Sequence, residues 1–131
     1  MQQLHAGDSF AVGPFRIDED AMAQYLASTG GDRAFYSRYD AVPPMAVAGR
    51  ALGALIERLS MPAGSVHIGQ EVDFLGTART GEELACTVKV ARESSRGGWR
   101  ILSLDFDVNG SRGPVLKGRT TVMLPQEAST R

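Results

Sequence analysis

The chain has 131 residues, 43% hydrophobic and 22% charged, with a net charge of −1, two histidines and one cysteine. That length holds one compact domain, and the balance excludes disordered, collagen-like and membrane-embedded classes. Lys and Arg are scattered, which excludes the clustered positive charge that tracks a nucleic-acid backbone.

The opening residues, Met1 to His5, lack the basic start and apolar run of a secretory signal, so the cytoplasm is the expected compartment. Phe10 to Ile17 carries β-formers around Gly13 and Pro14 and reads as a strand. Asp18 then caps a helix over 19 to 29, with Met22, Tyr25, Leu26 and Thr29 at helical spacing and Gly30 and Gly31 to end it. Residues 30 to 42 have no clean periodicity and read as a loop. Phe35, Tyr36 and Tyr39 make that loop unusually aromatic, as a lid or a subunit contact would be.

Pro43 and Pro44 introduce a helix over 45 to 60, whose opening N–H groups lack partners in any case. Met45, Ala48, Leu52, Leu55, Ile56 and Leu59 form its apolar stripe. Ala46, Ala48, Gly49, Ala51, Gly53 and Ala54 are small enough to let strands approach from several sides, which predicts a wrapped, central helix. Arg50 and Glu57 interrupt the apolar run from Val42 to Leu59, which is too short to span a bilayer comfortably.

From Val66 onward the pattern alternates with the period of half-buried strands. The first strand predicts Val66, Ile68, Gln70, Val72 and Phe74 on one face and His67, Glu71 and Asp73 on the other. After a turn at Thr80 and Gly81, Leu84, Cys86, Val88 and Val90 alternate, which makes the lone cysteine core filling rather than a disulfide or metal ligand. Ser94 to Gly98 reads as a hairpin loop, Leu102 to Val108 as a strand, Asn109 and Gly110 as a tight turn, and Val115 to Leu124 as the last strand. Residues 126 to 131 read as a flexible tail. The expected architecture is a single α+β domain over 1 to 131, an antiparallel sheet of about five strands wrapped around the central helix.

The stretch from Glu71 to Leu84, strand, bend and new strand, resembles the MaoC-like hotdog family, with Ala78 near the usual Pro-Val and Glu82 in the place of Asp. The likeness covers nearly the whole chain and includes the branch similar to the N-terminal dehydratase domains of fungal-type fatty acid synthase. Tyr25 to Asp32 is similar to the segment that introduces the family's catalytic loop, which continues Gly-Asp-x-Asn-Pro-x-His. Here Asp32 matches the catalytic aspartate, but Ala34, Phe35 and Ser37 stand where the family has Asn, Pro and His. Val42 to Met45 resembles the entrance to the family's central helix, with Pro44 where many relatives have a glycine.

The resemblance implies a hotdog fold and hydration or dehydration of an acyl thioester carried on coenzyme A or an acyl carrier protein. No cluster of His, Cys and carboxylates has the spacing of metal ligands, so no metal and no cofactor is expected. Such chemistry needs a base for water, a group for the α-proton and donors for the enolate oxygen. In the family an Asp and a His move the protons, and a backbone N–H at the start of the central helix serves the oxyanion. Pro44 has no N–H, so Met45 or a neighbour takes that part. Asp32, Tyr36 and Ser37 are the candidate catalytic residues, Asp32 having the alternative role of a local turn cap. Met45, Gly49, Gln70 and Arg33 are the candidate substrate-binding residues, and Arg38 and Arg79 can also meet a phosphate. An unperturbed aspartate titrates at about 4 and is a poor base at neutral pH.

Three functions follow: a hydratase or dehydratase with a remodelled site, a non-catalytic subunit of a heteromeric dehydratase, or a hotdog thioesterase or polyketide-tailoring enzyme. A carboxylate on the central helix serves some thioesterases, but Glu57 lies late in this helix. Single hotdog domains form their pockets between subunits, which predicts a homodimer, or a heterodimer with a related hotdog chain, in which residues 30 to 45 meet the partner.

Overall fold

In a computed structural model of the chain, which describes residues 4–126, β1 (Ser9–Phe15) leads into α1 (Glu19–Thr29). The Asp18 carboxylate accepts from the Ala21 amide at 2.8 Å, and Glu19 and Asp20 set negative charge against the helix N-terminus. Gly30 closes the helix at φ 72°, in the left-handed region that a side chain would disfavour. Met22 and Leu26, one turn apart, bury its inner face.

The segment expected as a loop contains a short helix, α2 (Arg33–Tyr39), with Asp32 as its cap. None of its residues is fully buried, so no apolar period marks it in the sequence. α3 (Pro44–Leu59) starts with Pro44 inside its first turn and ends at Ser60. Its buried face is Val47, Ala48, Ala51, Leu55 and Leu59, with Ala46 covered at the first turn.

β2 (Val66–Phe74), β3 (Leu84–Arg96), β4 (Trp99–Gly110) and β5 (Gly113–Pro125) join β1 in a five-stranded antiparallel sheet ordered β1-β3-β4-β5-β2. The inner face of the sheet carries Leu84, Cys86, Val88, Val90, Leu102, Leu104, Phe106, Val108, Val122 and Leu124 into one core with α3. Fully burying one such aliphatic side chain is worth about 1.5–3 kcal/mol, so this shared face dominates the fold's stability.

Both hairpin turns are tighter or later than the sequence pattern suggests. β3 runs on to Arg96, leaving only Gly97 and Gly98, with φ 58° and 84°, to make a two-residue turn that needs positive φ at both places. Asn109 and Gly110 still pair with Pro114 and Gly113, so the β4–β5 reversal falls at Ser111 and Arg112.

The sheet packs on α3 as expected, and one flank of the helix stays open. Arg50 and Arg58 lie over the rings of Phe15 and Phe10, each at 5.1 Å, and fix one flank of the helix to β1. The other flank, Met45, Gly49, Gly53 and Ile56, is exposed.

One further expectation, on β2, is corrected. His67 pairs with Val122 and Gly69 with Thr121, so Ile68 is an extra residue that breaks the alternation. His67, expected on the outer face, therefore points to the inner one, and Val66 and Ile68 are 46% and 49% exposed. The flexible tail expected over 126 to 131 lies, apart from Gln126, outside the described residues; the Gln126 amide donates to the Gly98 carbonyl at 2.8 Å.

Candidate active site

α2 stands beside the start of α3, held there by the chain on either side. The Ala41 amide donates to the Tyr36 carbonyl at 3.0 Å, and the Val42 amide to the Ala78 carbonyl at 2.9 Å, joining the entrance of α3 to the bend after β2. Between them opens a cleft of about 570 Å³. Its walls are Phe35, Tyr36 and Tyr39 from α2, Asp40, Ala41, Val42 and Pro44 leading into α3, and Gly76, Thr77, Arg79 and Arg112 from the facing bends. Phe35 packs edge-on against Tyr36 with centroids 5.2 Å apart and tilted against Tyr39 at 5.1 Å, which makes an aromatic wall.

Glu82 braces the opposite side. Its carboxylate accepts from the Arg79 amide at 2.8 Å, the Ser111 amide at 2.7 Å and the Ser111 hydroxyl at 2.9 Å. The Arg79 amide, above all, holds Glu82 below the ordinary carboxylate range; burial opposes it, and Ser111 and the Arg112 guanidinium add to the lowering. The two bends that bear Arg79 and Arg112 are thus pinned to one anion, and both arginines border the cleft, with Asp40 as its one acidic wall residue.

The candidate residues separate around α2. Arg33 and Ser37, four residues apart, share a smaller recess of about 80 Å³ with Glu19, Met22, Leu26 and Thr80. Tyr36 faces the larger cleft and is half-buried. Asp32 is exposed at the N-terminus of α2, with Oδ1 accepting from the Phe35 amide at 3.2 Å and no other hydrogen bond among the described residues. Its local capping role is therefore present in the structure.

Met45 is exposed at the start of α3, and its amide has no acceptor among the described residues. Gly49 lies on the open flank of α3, where an added Cβ would meet nothing within 4 Å. Gln70 is half-buried on the inner face of β2, opposite Thr120. Neither Met45, Gly49 nor Gln70 borders the cleft beneath α2. Arg112 and Thr77 do, and sequence reading passed over them because turn residues carry no period. Among the described residues no group of three or more His, Cys, Asp and Glu side chains is arranged to hold a metal, and no helix is long and apolar enough to cross a membrane.

No family model matches the sequence, and no curated protein matches it. Solved structures do match in shape. The MaoC-like dehydratase from Rhodospirillum rubrum superposes with a TM-score of 0.77 at 20% identity, over 96% of each chain. The (R)-hydratase from A. caviae involved in PHA biosynthesis gives 0.76 at 23% identity, over 95% of this chain and all of that one. The C-terminally truncated HadBC (3R-hydroxyacyl-ACP dehydratase) complex from Mycobacterium tuberculosis gives 0.72 at 17%, over 94% of this chain and 99% of that one. The fold is the hotdog fold of the MaoC-like hydratases and dehydratases, an α+β sheet of five antiparallel strands packed on α3.

Proposed function

We propose that the chain is an acyl-thioester hydratase or dehydratase with a remodelled site, acting on enoyl and 3-hydroxyacyl thioesters of coenzyme A or an acyl carrier protein. The observation that carries this reading is the cleft at the start of α3, aromatic on one wall and rimmed by Arg79 and Arg112 on the other. The aromatic wall suits an acyl chain or pantetheine arm, and the guanidiniums suit its phosphate.

In the hydration direction the oxygen of water bonds to C3 and its proton leaves. The double-bond pair moves through C2 to the thioester oxygen as an enolate, and a proton then returns to C2. Of the candidate groups only Tyr36 is a wall of the cleft, and its phenol is the donor available there to the enolate oxygen. Asp32, which caps the amide of the wall residue Phe35, and the Met45 amide, next after the wall residue Pro44, adjoin the cleft along the chain; in this reading the free Oδ2 of Asp32 holds the water and the Met45 amide is a second donor. Ser37, in the recess on the other side of α2 with Arg33, has no place in this arrangement.

The protein works as a dimer in this reading. β2 is an edge strand with Val66 and Ile68 exposed, and the open flank of α3 turns away from β1 toward that edge. A second copy related by a two-fold axis joins β2 to β2 and sets the two α3 flanks against each other, with Phe35 and Tyr39 at the rim.

The test is loss of conjugated-thioester absorbance when the purified protein meets crotonyl- or longer enoyl-CoA. Turnover is expected, and Asp32→Asn lowers it by about 100-fold or more, since asparagine keeps the cap but not the charge. Release of free thiol instead overturns the reading in favour of a thioesterase. The replacement of the family histidine by Ser37 favours a second reading, a non-catalytic subunit of a heteromeric dehydratase. That reading gains if the protein is silent alone and turnover appears only with a histidine-bearing hotdog chain.

A further inference from the structure

We infer that each site is completed by His67 of the other subunit, which takes the proton from water and returns it to C2. This rests on the hydratase reading and on the two-fold dimer above. His5, the other histidine, lies at the surface 3.5 Å from Glu93, away from the cleft.

The bulge at Ile68 turns His67 to the helix side of the sheet, where its Nε2 lies 2.8 Å from the hydroxyl of Thr120. Thr120 is the one buried polar side chain among the described residues, and its hydroxyl also reaches the Gly69 carbonyl at 3.4 Å. With that hydroxyl donating to Gly69, its oxygen accepts from the Nε2 hydrogen, and Nδ1 is left as the basic nitrogen. An edge strand thus holds an oriented imidazole, itself exposed, on a buried anchor. A histidine needed only for solubility has no use for that anchor.

Within one chain His67 is far from the cleft. It lies near the start of β2, whereas the cleft opens beyond Phe74 at the other end, and seven residues of strand span about 23 Å. Antiparallel pairing of β2 with β2 about an axis near its middle reverses this. The early part of one strand then lies beside the late part of the other, on the same face of the joined sheet, so His67 arrives at the partner's cleft. Asp32 and Tyr36 come from one chain and the base from the other.

The step balances without a co-reactant. The partner's His67 accepts the water proton at Nδ1 as the water oxygen bonds to C3, and the same proton passes from Nδ1 to C2 as the enolate collapses. The imidazole ends neutral, ready for another cycle.

Complementation between variants tests the assignment. His67→Gln, whose amide still donates to Thr120, and Asp32→Asn are each purified as homodimers, and also as a differently tagged mixed dimer, and assayed with crotonyl-CoA. Each homodimer is expected to fall by 100-fold or more, while the mixed dimer recovers about half of the wild-type rate, since one of its two sites has both groups intact. No recovery in the mixed dimer overturns the inference, because both of its sites are then defective in their own chain. Undiminished turnover by His67→Gln overturns it as well while leaving the hydratase reading in place, and an inactive wild type overturns both.

Discussion

Cys86 shows how much a single residue's chemistry is set by its strand position. It sits on β3 between Val12 of β1 and Val108 of β4, wholly inside the core. Burial, with the charge of Asp107 adding to it, pushes the thiol up to about 11 from an ordinary 9.0. The unfolded chain therefore loses this proton first, and the stability contributed by the neutral thiol is full below pH 9 and declines between 9 and 11. Denaturant unfolding of the wild type is expected to weaken over that window, and Cys86→Ala, though less stable at every pH, to lack that part of the slope. Equal slopes in the two proteins would contradict the burial argument. This residue was legible from the alternation of Leu84, Cys86, Val88 and Val90, because a central strand packed on one face obeys its period strictly.

At the scale of elements, the legible parts were those with a period and a cap. α1 declared itself through Asp18 and Gly30, and α3 through its prolines and its stripe. α2 did not, since a seven-residue helix without a buried face leaves only Asp32 as a signal, and Asp32 reads equally as a turn. The inward turn of His67 was invisible for a different reason: the bulge at Ile68 is fixed by pairing with β5, and a strand's own sequence does not show its partner's register. The rim of the cleft likewise depends on Glu82, which ties the bend at Arg79 to the β4–β5 turn at Ser111. Glu82→Gln should cost about 1–2 kcal/mol by denaturant unfolding, because charge-assisted bonds to two amides are weakened. The pH dependence has a definite sign as well. Glu82 is held below its unfolded value, so its contribution is complete above that unfolded value and is lost as pH falls through the folded one. Acid unfolding of Glu82→Gln is expected to be correspondingly shallower than that of the wild type, and an unchanged acid limb would mean that the brace adds nothing.

For the whole molecule the unresolved cost is on α3. Gly49 and Gly53 lie on its exposed flank, where a Cβ would touch nothing in the chain, and each glycine inside a helix is about 1 kcal/mol worse than alanine. A lone subunit gains nothing in return, whereas a second helix lying close against this flank needs that missing side-chain volume. Met45 and Ile56, exposed on the same flank, would then be buried, as would Val66 and Ile68 at the β2 edge. Gly53→Arg separates the possibilities, because the free surface accepts the long side chain while a helix-to-helix contact does not. Sedimentation velocity at micromolar concentration should show a dimer for the wild type and a folded monomer for Gly53→Arg, with enoyl-CoA turnover falling alongside if the site spans two chains. A variant that stays dimeric but loses affinity for long acyl chains would instead assign the glycine flank to the substrate and leave the β2 edge to hold the subunits together.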